Sequence, residues 1–447
     1  MTRTFDPLAA AALALCATGL PAQANQSLFT PGYGLTVGPV FNRNNLSSAG
    51  YNPANAVRLV DADESVRFGL MQAGAQYTLG EIDDLQKQLD AMDAAVQAAR
   101  DQPLTAQARV DQINTLLPNL EKGARIHLAA GGSLLTPLLI RSVRLGGVFS
   151  VVANAQVQVA GQFLGRDAEL AVDAGNQTVG LKTRSGFDVR VARLTQLALG
   201  YGTELTRRLD INANRGQLDA GLRLNVYQAK LYRQVVGFTD ENGNGNSGSG
   251  GSTFSQDSVD SRSASAVGVD LGVAWTATNY QLGATLYNIG QPTFRYPDPL
   301  QDTSAVNRYA AAGLSAEQAN AQVALKTHLV LEGSLYSDNK RWLGQTSLAL
   351  NETPDVVGEP QRLASLSLSY NAERFEGSFG TLLNYIVPSV RLGLRKNLAG
   401  SRLGSTGLGF SWGIVNLDFH QSQQKVSADG GSVPRSAGAS LSVTEKF

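Results

Sequence analysis

Ala437-Gly438-Ala439-Ser440-Leu441-Ser442-Val443-Thr444-Glu445-Lys446-Phe447 closes the sequence on an aromatic residue. Reading back from Phe447 in steps of two gives Glu445, Val443, Leu441 and Ala439. The interleaved set is Lys446, Thr444, Ser442, Ser440 and Gly438, all polar or small. A period of two places one set on each face of a β-strand, so this stretch predicts a strand with one apolar and one polar face. An ordinary amphipathic strand would read the same way. The rest of the chain has to decide what the apolar face meets.

The composition narrows the choice. The chain has 447 residues, 43% of them hydrophobic and only 17% charged, with 47 glycines. Globular domains carry about 25% charged residues, so a large uncharged surface needs an explanation. Lysine plus arginine equals aspartate plus glutamate at 37 each. That balance argues against a nucleic-acid partner, which selects a basic face. Beyond residue 25 no apolar run approaches the roughly 20 residues of a spanning helix, so a membrane would have to be crossed by strands.

Alternation recurs along most of the chain. Leu197, Leu199, Tyr201, Thr203 and Leu205 oppose Ala198, Gly200, Gly202 and Glu204; Leu218, Ala220, Leu222, Leu224 and Val226 oppose Asp219, Gly221, Arg223 and Asn225. Val267 through Trp275, Val323 through Leu335 and Val390 through Leu394 repeat the pattern. The polar faces mix Gly, Ala and Ser with an occasional Arg223, Asp270, Glu332, Arg391 or Arg395, as a narrow lumen would, whereas a face in bulk water carries dense charge. The expected fold is all-β: an antiparallel transmembrane β-barrel of about fourteen strands over residues 65–447, each strand near the ~10 residues a tilted span requires. The five charges are candidate lumen charges that would pair and set selectivity.

Residues 80–122 change period. Ile82, Leu85, Leu89, Met92 and Val96 recur at helical spacing, Asp101-Gln102-Pro103 interrupts, and Val110, Ile113, Leu116 and Leu117 form a shorter stripe before Pro118. This predicts a helical hairpin inserted between strands, its two helices burying each other. Two polar outer loops are expected, at 239–265 and at 291–309, the latter marked by Pro292, Pro297 and Pro299. Residues 240–251 alternate Asp and Asn as a calcium loop does, but Gly251 stands where the bidentate acid belongs, so no metal is expected.

Before the first strand, residues 1–24 read as a signal peptide. Arg3 leads, Leu8 to Gly19 is apolar, and Pro21-Ala22-Gln23-Ala24 offers a small-x-small site with cleavage after Ala24. Cys16, the single cysteine, would leave with it, which excludes disulfides, a CxxC site and thiolate zinc from the remainder. Residues 25–64 are rich in Gly, Pro, Asn and Ser and predict irregular backbone that could fold back into a lumen as a plug. The Asn52-Pro53-Ala54 triplet there resembles the amino-terminal hatch of fatty-acid-transporter-like (FadL-like) outer-membrane channels. Taken with the 80–122 insertion, the chain is most similar to the plasmid-transfer TraF-like branch of such barrels. Leu441, Val443 and Phe447 likewise resemble the carboxy-terminal signal that the barrel-insertion machinery reads, with Glu445 departing from it.

What the resemblance implies is an outer-membrane location, lipid and the insertion machinery as partners, a monomer, and a small hydrophobic ligand passed or bound in the lumen. The other reading is a structural or interaction protein of a transfer apparatus with no transport activity. No cofactor is expected. Among His127, His328 and His420 no two stand at metal-ligand spacing, and neither G-x-S-x-G nor a Walker loop occurs. His420 with Ser422 is the sole hint of hydrolytic chemistry, and the chain is read as a non-enzyme.

Overall fold

A computed structural model describes residues 28–29, 31–43, 45–135, 137–173, 178–206, 209, 216–243, 261–371, 387–428 and 430–444. The proposed signal peptide with Ala24, most of the calcium-like loop, and Glu445, Lys446 and Phe447 lie outside the described residues.

The wall is one antiparallel sheet closed on itself. Its strands in chain order are β1 (Val66–Leu79), β2 in two pieces (Arg125–Leu134 and Leu138–Ser142), β3 (Gly147–Leu164), β4 (Gly186–Glu204), β5 (Gln217–Gly237), β6 (Ser261–Thr276) and β7 (Tyr280–Ile289). The second half holds β8 (His328–Tyr336), β9 (Trp342–Ala349), β10 (Leu363–Tyr370), β11 (Ser389–Asn397), β12 (Gly404–Trp412), β13 (Val415–Ser422) and β14 (Ser436–Thr444). Each strand pairs with its sequence neighbours, and β14 pairs with β1 through Met71↔Val443, Ala73↔Leu441 and Ala75↔Ala439. The fourteen-stranded barrel is therefore complete, and no edge of its wall is left to oil. That matters because each backbone group left unsatisfied in hydrocarbon costs several kcal/mol.

The outward set is the apolar one that the alternation predicted. Leu197, Leu199, Leu222, Leu224, Leu271, Val273, Leu366, Leu368, Leu392, Leu394 and Leu441 are all exposed. At the end of the barrel where the connections are shorter, aromatic side chains form a girdle: Trp342 against Tyr370 at 5.0 Å, Phe410 on Trp412 at 5.6 Å and Phe149 against Tyr201 at 5.0 Å between ring centres. Such girdles mark the membrane interface of β-barrels. Among the described residues no helix is long and apolar enough to cross a membrane.

The longer connections rise from the opposite end. Between β1 and β2 stand α1 (Leu85–Asp101) and α2 (Ala106–Gly123). The second helix does not stop at Pro118 but runs through it; the proline forfeits one backbone bond, while buried Leu117 and Leu120 on either side hold the turn together. Nor do the helices bury only each other. Met92, Val96, Ile113, Leu117 and Leu120 share one core with Phe163, Leu181 and Phe187 of the strand extensions and the adjoining hairpin. Two further expectations need correction. The predicted strand over Val323–Leu335 is broken, because the hairpin of Thr293–Arg295 with Gln322–Ala324 ends before β8 begins at His328. The polar loop expected to reach residue 265 ends sooner, since β6 starts at Ser261.

One place in the wall is irregular. Leu135 has φ +53°, and Pro137 has no N–H to give. The register of β2 with β3 passes from Gly132↔Ala155 to Leu138↔Val151, a step of six positions on β2 against four on β3. On its other side β2 stays tied to β1 by Leu135 N to Leu70 O (2.8 Å) and Gly69 N to Pro137 O (2.9 Å).

If the exposed leucines face hydrocarbon, a charge among them is costly and one beyond them is not. Leu222→Arg should lower unfolding stability in lipid vesicles by about 2–4 kcal/mol, and Gln228→Arg by about 0–1 kcal/mol. Equal losses in the two variants would contradict this assignment of the belt.

Candidate functional site

The described residues between 28 and 60 lie inside the barrel. Tyr33, Val37, Val40, Ala54 and Ala56 are fully buried there, in a segment of one-turn helices and loops whose own apolar clusters are small, Tyr33, Val37, Val40 and Tyr51 forming one of them. Polar side chains of the wall add most of the specific contacts that hold it. The sheet's period of two is what aims them inward: on β8, Glu332 points in while Leu331 and Leu335 point the other way.

Glu332 is the central acceptor. Its two oxygens take Phe41 N–H at 2.9 Å, the Asn52 amide at 2.8 Å and the Asn55 amide at 3.1 Å. Thr36 Oγ1 donates to Asp418 at 2.8 Å, Arg395 donates to Leu35 O at 2.6 Å, and Gln345 to Phe41 O at 2.7 Å. Arg223 divides its guanidinium between Asp270 at 2.9 Å and Gly50 O at 2.5 Å. From the segment itself, Arg58 forms a two-point bridge to Asp219, both contacts at 2.6 Å. Where the segment leads into the wall, Arg67 donates to Leu59 O at 2.6 Å and Arg141 to Val60 O. At its beginning, Phe29 N–H donates to Gln156 Oε1 at 2.9 Å and Asn154 donates to Phe29 O at 3.1 Å, beside the irregular stretch of β2.

All five charges read from the sequence thus face the lumen, and only Arg223 and Asp270 pair with each other. Arg391 pairs with Asp418 at 3.1 Å, while Glu332 and Arg395 are spent on the segment's backbone and amides. Arg58, Asp219 and Asp418 belong to the same network and were not singled out from sequence. Arg58 sits outside any strand, and alternation gives no reason to connect Asp219 to a residue 161 positions away.

The Asn52-Pro53-Ala54 triplet makes a tight turn in which Asn52 Oδ1 accepts Ala54 N–H at 3.0 Å. It rests on bare backbone. Gly202, Gly221 and Gly272 lie in register on β4, β5 and β6. A Cβ at Gly221 would collide with the Pro53 carbonyl carbon, and one at Gly272 with Asn52 Oδ1. Across the lumen, paired Gly393 and Gly407 make a second such patch, under Thr36.

Towards the longer loops the interior divides. One side is apolar and filled: Tyr227, Leu231, Phe294, Tyr296, Val323 and Leu325 share a core, so loop residues pack on the inward faces of β4 and β5. On the other side lies a cavity of about 90 Å³ bordered by Phe29, His127, Gln158, Asp355, Glu359 and His420. His127 Nε2 is 3.1 Å from Asp355. Burial pushes the Glu359 carboxyl above its usual range, and neighbouring Asp355 adds to that. His420 faces Ser436 at 3.4 Å, whereas Ser422 donates to Gln424 O at 2.6 Å, so the structure does not bring His420 and Ser422 together as a pair.

The family model described as "F plasmid transfer operon, TraF, protein" matches residues 49–348, from just before the Asn-Pro-Ala turn to the end of β9. The chain belongs to this TraF family. No curated protein matches it. Solved structures similar to this TraF-family chain include a TodX deltaS2S3 mutant monoaromatic hydrocarbon channel, at 12% identity, TM-score 0.41, over 96% of this chain and 98% of that one. A FadL homologue of Pseudomonas aeruginosa is similar at 12% identity and TM-score 0.41, over 95% and 99%. The toluene transporter TodX of P. putida gives 11%, 0.41, 93% and 99%. Closed wall, apolar belt and family membership together make this an outer-membrane barrel.

Two substitutions test how the segment is held. Gly221→Leu should expel the Asn52-Pro53-Ala54 turn, opening residues 46–58 to protease while the barrel keeps its heat-modifiable gel migration. Glu332→Gln puts an amide donor where an acceptor is needed; with bonds to a charged group worth about 1.5–3 kcal/mol each, amide exchange at 41–55 should quicken by tenfold or more. Full protection in both variants would contradict the arrangement.

Proposed function

We propose that this TraF-family barrel is a gated passage for small hydrophobic molecules, with residues 28–60 as its plug. The observation that carries the reading is chemical. The segment meets the wall mainly through hydrogen bonds and ion pairs that water can replace, its apolar contacts with the wall being Leu139 and Val148 beside Phe41, Leu59 and Val60, and Ala129 beside Phe29 and Leu35. A seat of that kind can be left and re-entered without exposing a core. The cluster of Tyr227, Phe294, Tyr296, Val323 and Leu325 is filled in this state, so an apolar solute would gain a foothold there once the loop residues Phe294, Tyr296, Val323 and Leu325 move off β5. Release would follow a shift of the plug or an opening in the wall; the register step between β2 and β3, beside which Asn154 and Gln156 of β3 anchor Phe29, is the place in the wall that suits it.

The competing reading, a structural component of a transfer apparatus that conducts nothing, makes the opposite forecast in one experiment. In planar bilayers the full chain should show low conductance, and a chain lacking residues 28–60 should show large, steady openings. A deleted barrel that still folds, by heat-modifiable migration, yet stays closed would favour the structural role.

A further inference from the structure

On the outer wall, three adjacent strands change character along the same rows of partners. Leu197, Val226 and Val267 are paired across β4, β5 and β6, and all three are exposed and apolar. The next outward row toward the longer loops is Thr195, Gln228 and Ser265. The row after that is Arg193, Lys230 and Ser263, every one of these side chains exposed. Four residues of strand separate the last apolar row from the cations, about 13 Å along the chain, which strand tilt reduces to about 10 Å of height. The headgroup layer extends roughly 5–7 Å beyond the hydrocarbon, and the length of an arginine or lysine side chain spans the difference.

Arg193 and Lys230 are direct cross-strand partners. They set two exposed positive charges side by side on the oil-facing side of the wall, where a phosphate can reach both. Both also lie against the ring of Tyr232, at 5.8 Å and 5.4 Å, which steers them to one spot. A shallow groove of about 760 Å³ crosses the wall here, bordered by Val157, Arg193, Thr195, Gln228, Lys230 and Ser263. Its edge offers two cations and a row of hydroxyl and amide groups, and it continues directly into the apolar belt.

We propose that this groove seats the phosphorylated headgroup of an outer-leaflet glycolipid, with the phosphate between Arg193 and Lys230, sugar hydroxyls on Thr195, Gln228 and Ser263, and acyl chains against Leu197, Val226 and Val267. A lipid is the occupant because the cations adjoin the belt on its oil-facing side; an anion in the lumen could not reach them. The inference is independent of whether the barrel conducts.

Native mass spectrometry of the full-length detergent-purified barrel tests it, with bisphosphorylated lipid A as probe and phosphate-stripped lipid A and inorganic phosphate as comparisons. The unaltered protein should retain the bisphosphorylated lipid, and Arg193→Gln with Lys230→Gln should retain about five- to tenfold less. The charge-keeping exchange Arg193→Lys with Lys230→Arg should restore binding, and all variants should show the same heat-modifiable migration. Equal retention by the doubly neutral variant, equal retention of stripped lipid, or displacement by millimolar inorganic phosphate would each overturn the proposal.

Discussion

A strand edge cannot be left open in hydrocarbon, and the pairing of β14 with β1 is what removes the last one from this molecule. Other features follow from that closure. An even number of antiparallel strands returns both ends of the wall to the same rim, near Val66 and Thr444. The connections at that rim are mostly short, and the longest stand at the other, with α1, α2 and the hairpins. Because the side-chain period is two, closing the wall also sorts every strand residue into oil-facing or lumen-facing, and the exposed leucines show which set took the oil.

The lumen then poses its own problem. A closed wall with inward Arg, Asp and Glu buries charge, and buried charge is tolerated only when it is paired or hydrogen-bonded. Residues 28–60 answer this as much as the wall does. Their carbonyls at Leu35 and Gly50 take Arg395 and Arg223, and their amides at Phe41, Asn52 and Asn55 serve Glu332. Segment and lining satisfy each other, with the glycine patches letting backbone approach backbone. The interior is therefore held by polar contacts together with small apolar clusters, such as Tyr33, Val37, Val40 and Tyr51, while a larger apolar core lies in the loops and helices above it.

The wall was legible in the sequence because alternation is a local property: Leu218 to Val226 can be assigned to a face without knowing what lies across the lumen. The inward direction of Arg223, Asp270, Glu332, Arg391 and Arg395 came from the same rule. Their partners did not, since Arg391 with Asp418 and Asp219 with Arg58 are set by closure and by the path of a segment distant in sequence. The glycines at 202, 221 and 272 could be read as small inward residues, but their role as a floor for the Asn-Pro-Ala turn depends on three strands lying in register. Helix α2 overran Pro118 because tertiary packing outweighed one lost hydrogen bond. The break between Val323 and β8 escaped notice because Lys326-Thr327 carries no glycine or proline to signal it.

Closure can be measured directly with one disulfide. In a chain freed of its own thiol by Cys16→Ser, Ala75→Cys and Ala439→Cys would place two thiols on exposed, directly paired positions of β1 and β14, within the span a disulfide accepts. Oxidation of the folded protein should join them nearly completely, giving a species of altered mobility on a non-reducing gel. The offset pair Ala73→Cys with Ala437→Cys should stay reduced. If the in-register pair stays open, or the offset pair closes as readily, the barrel is not shut in this register.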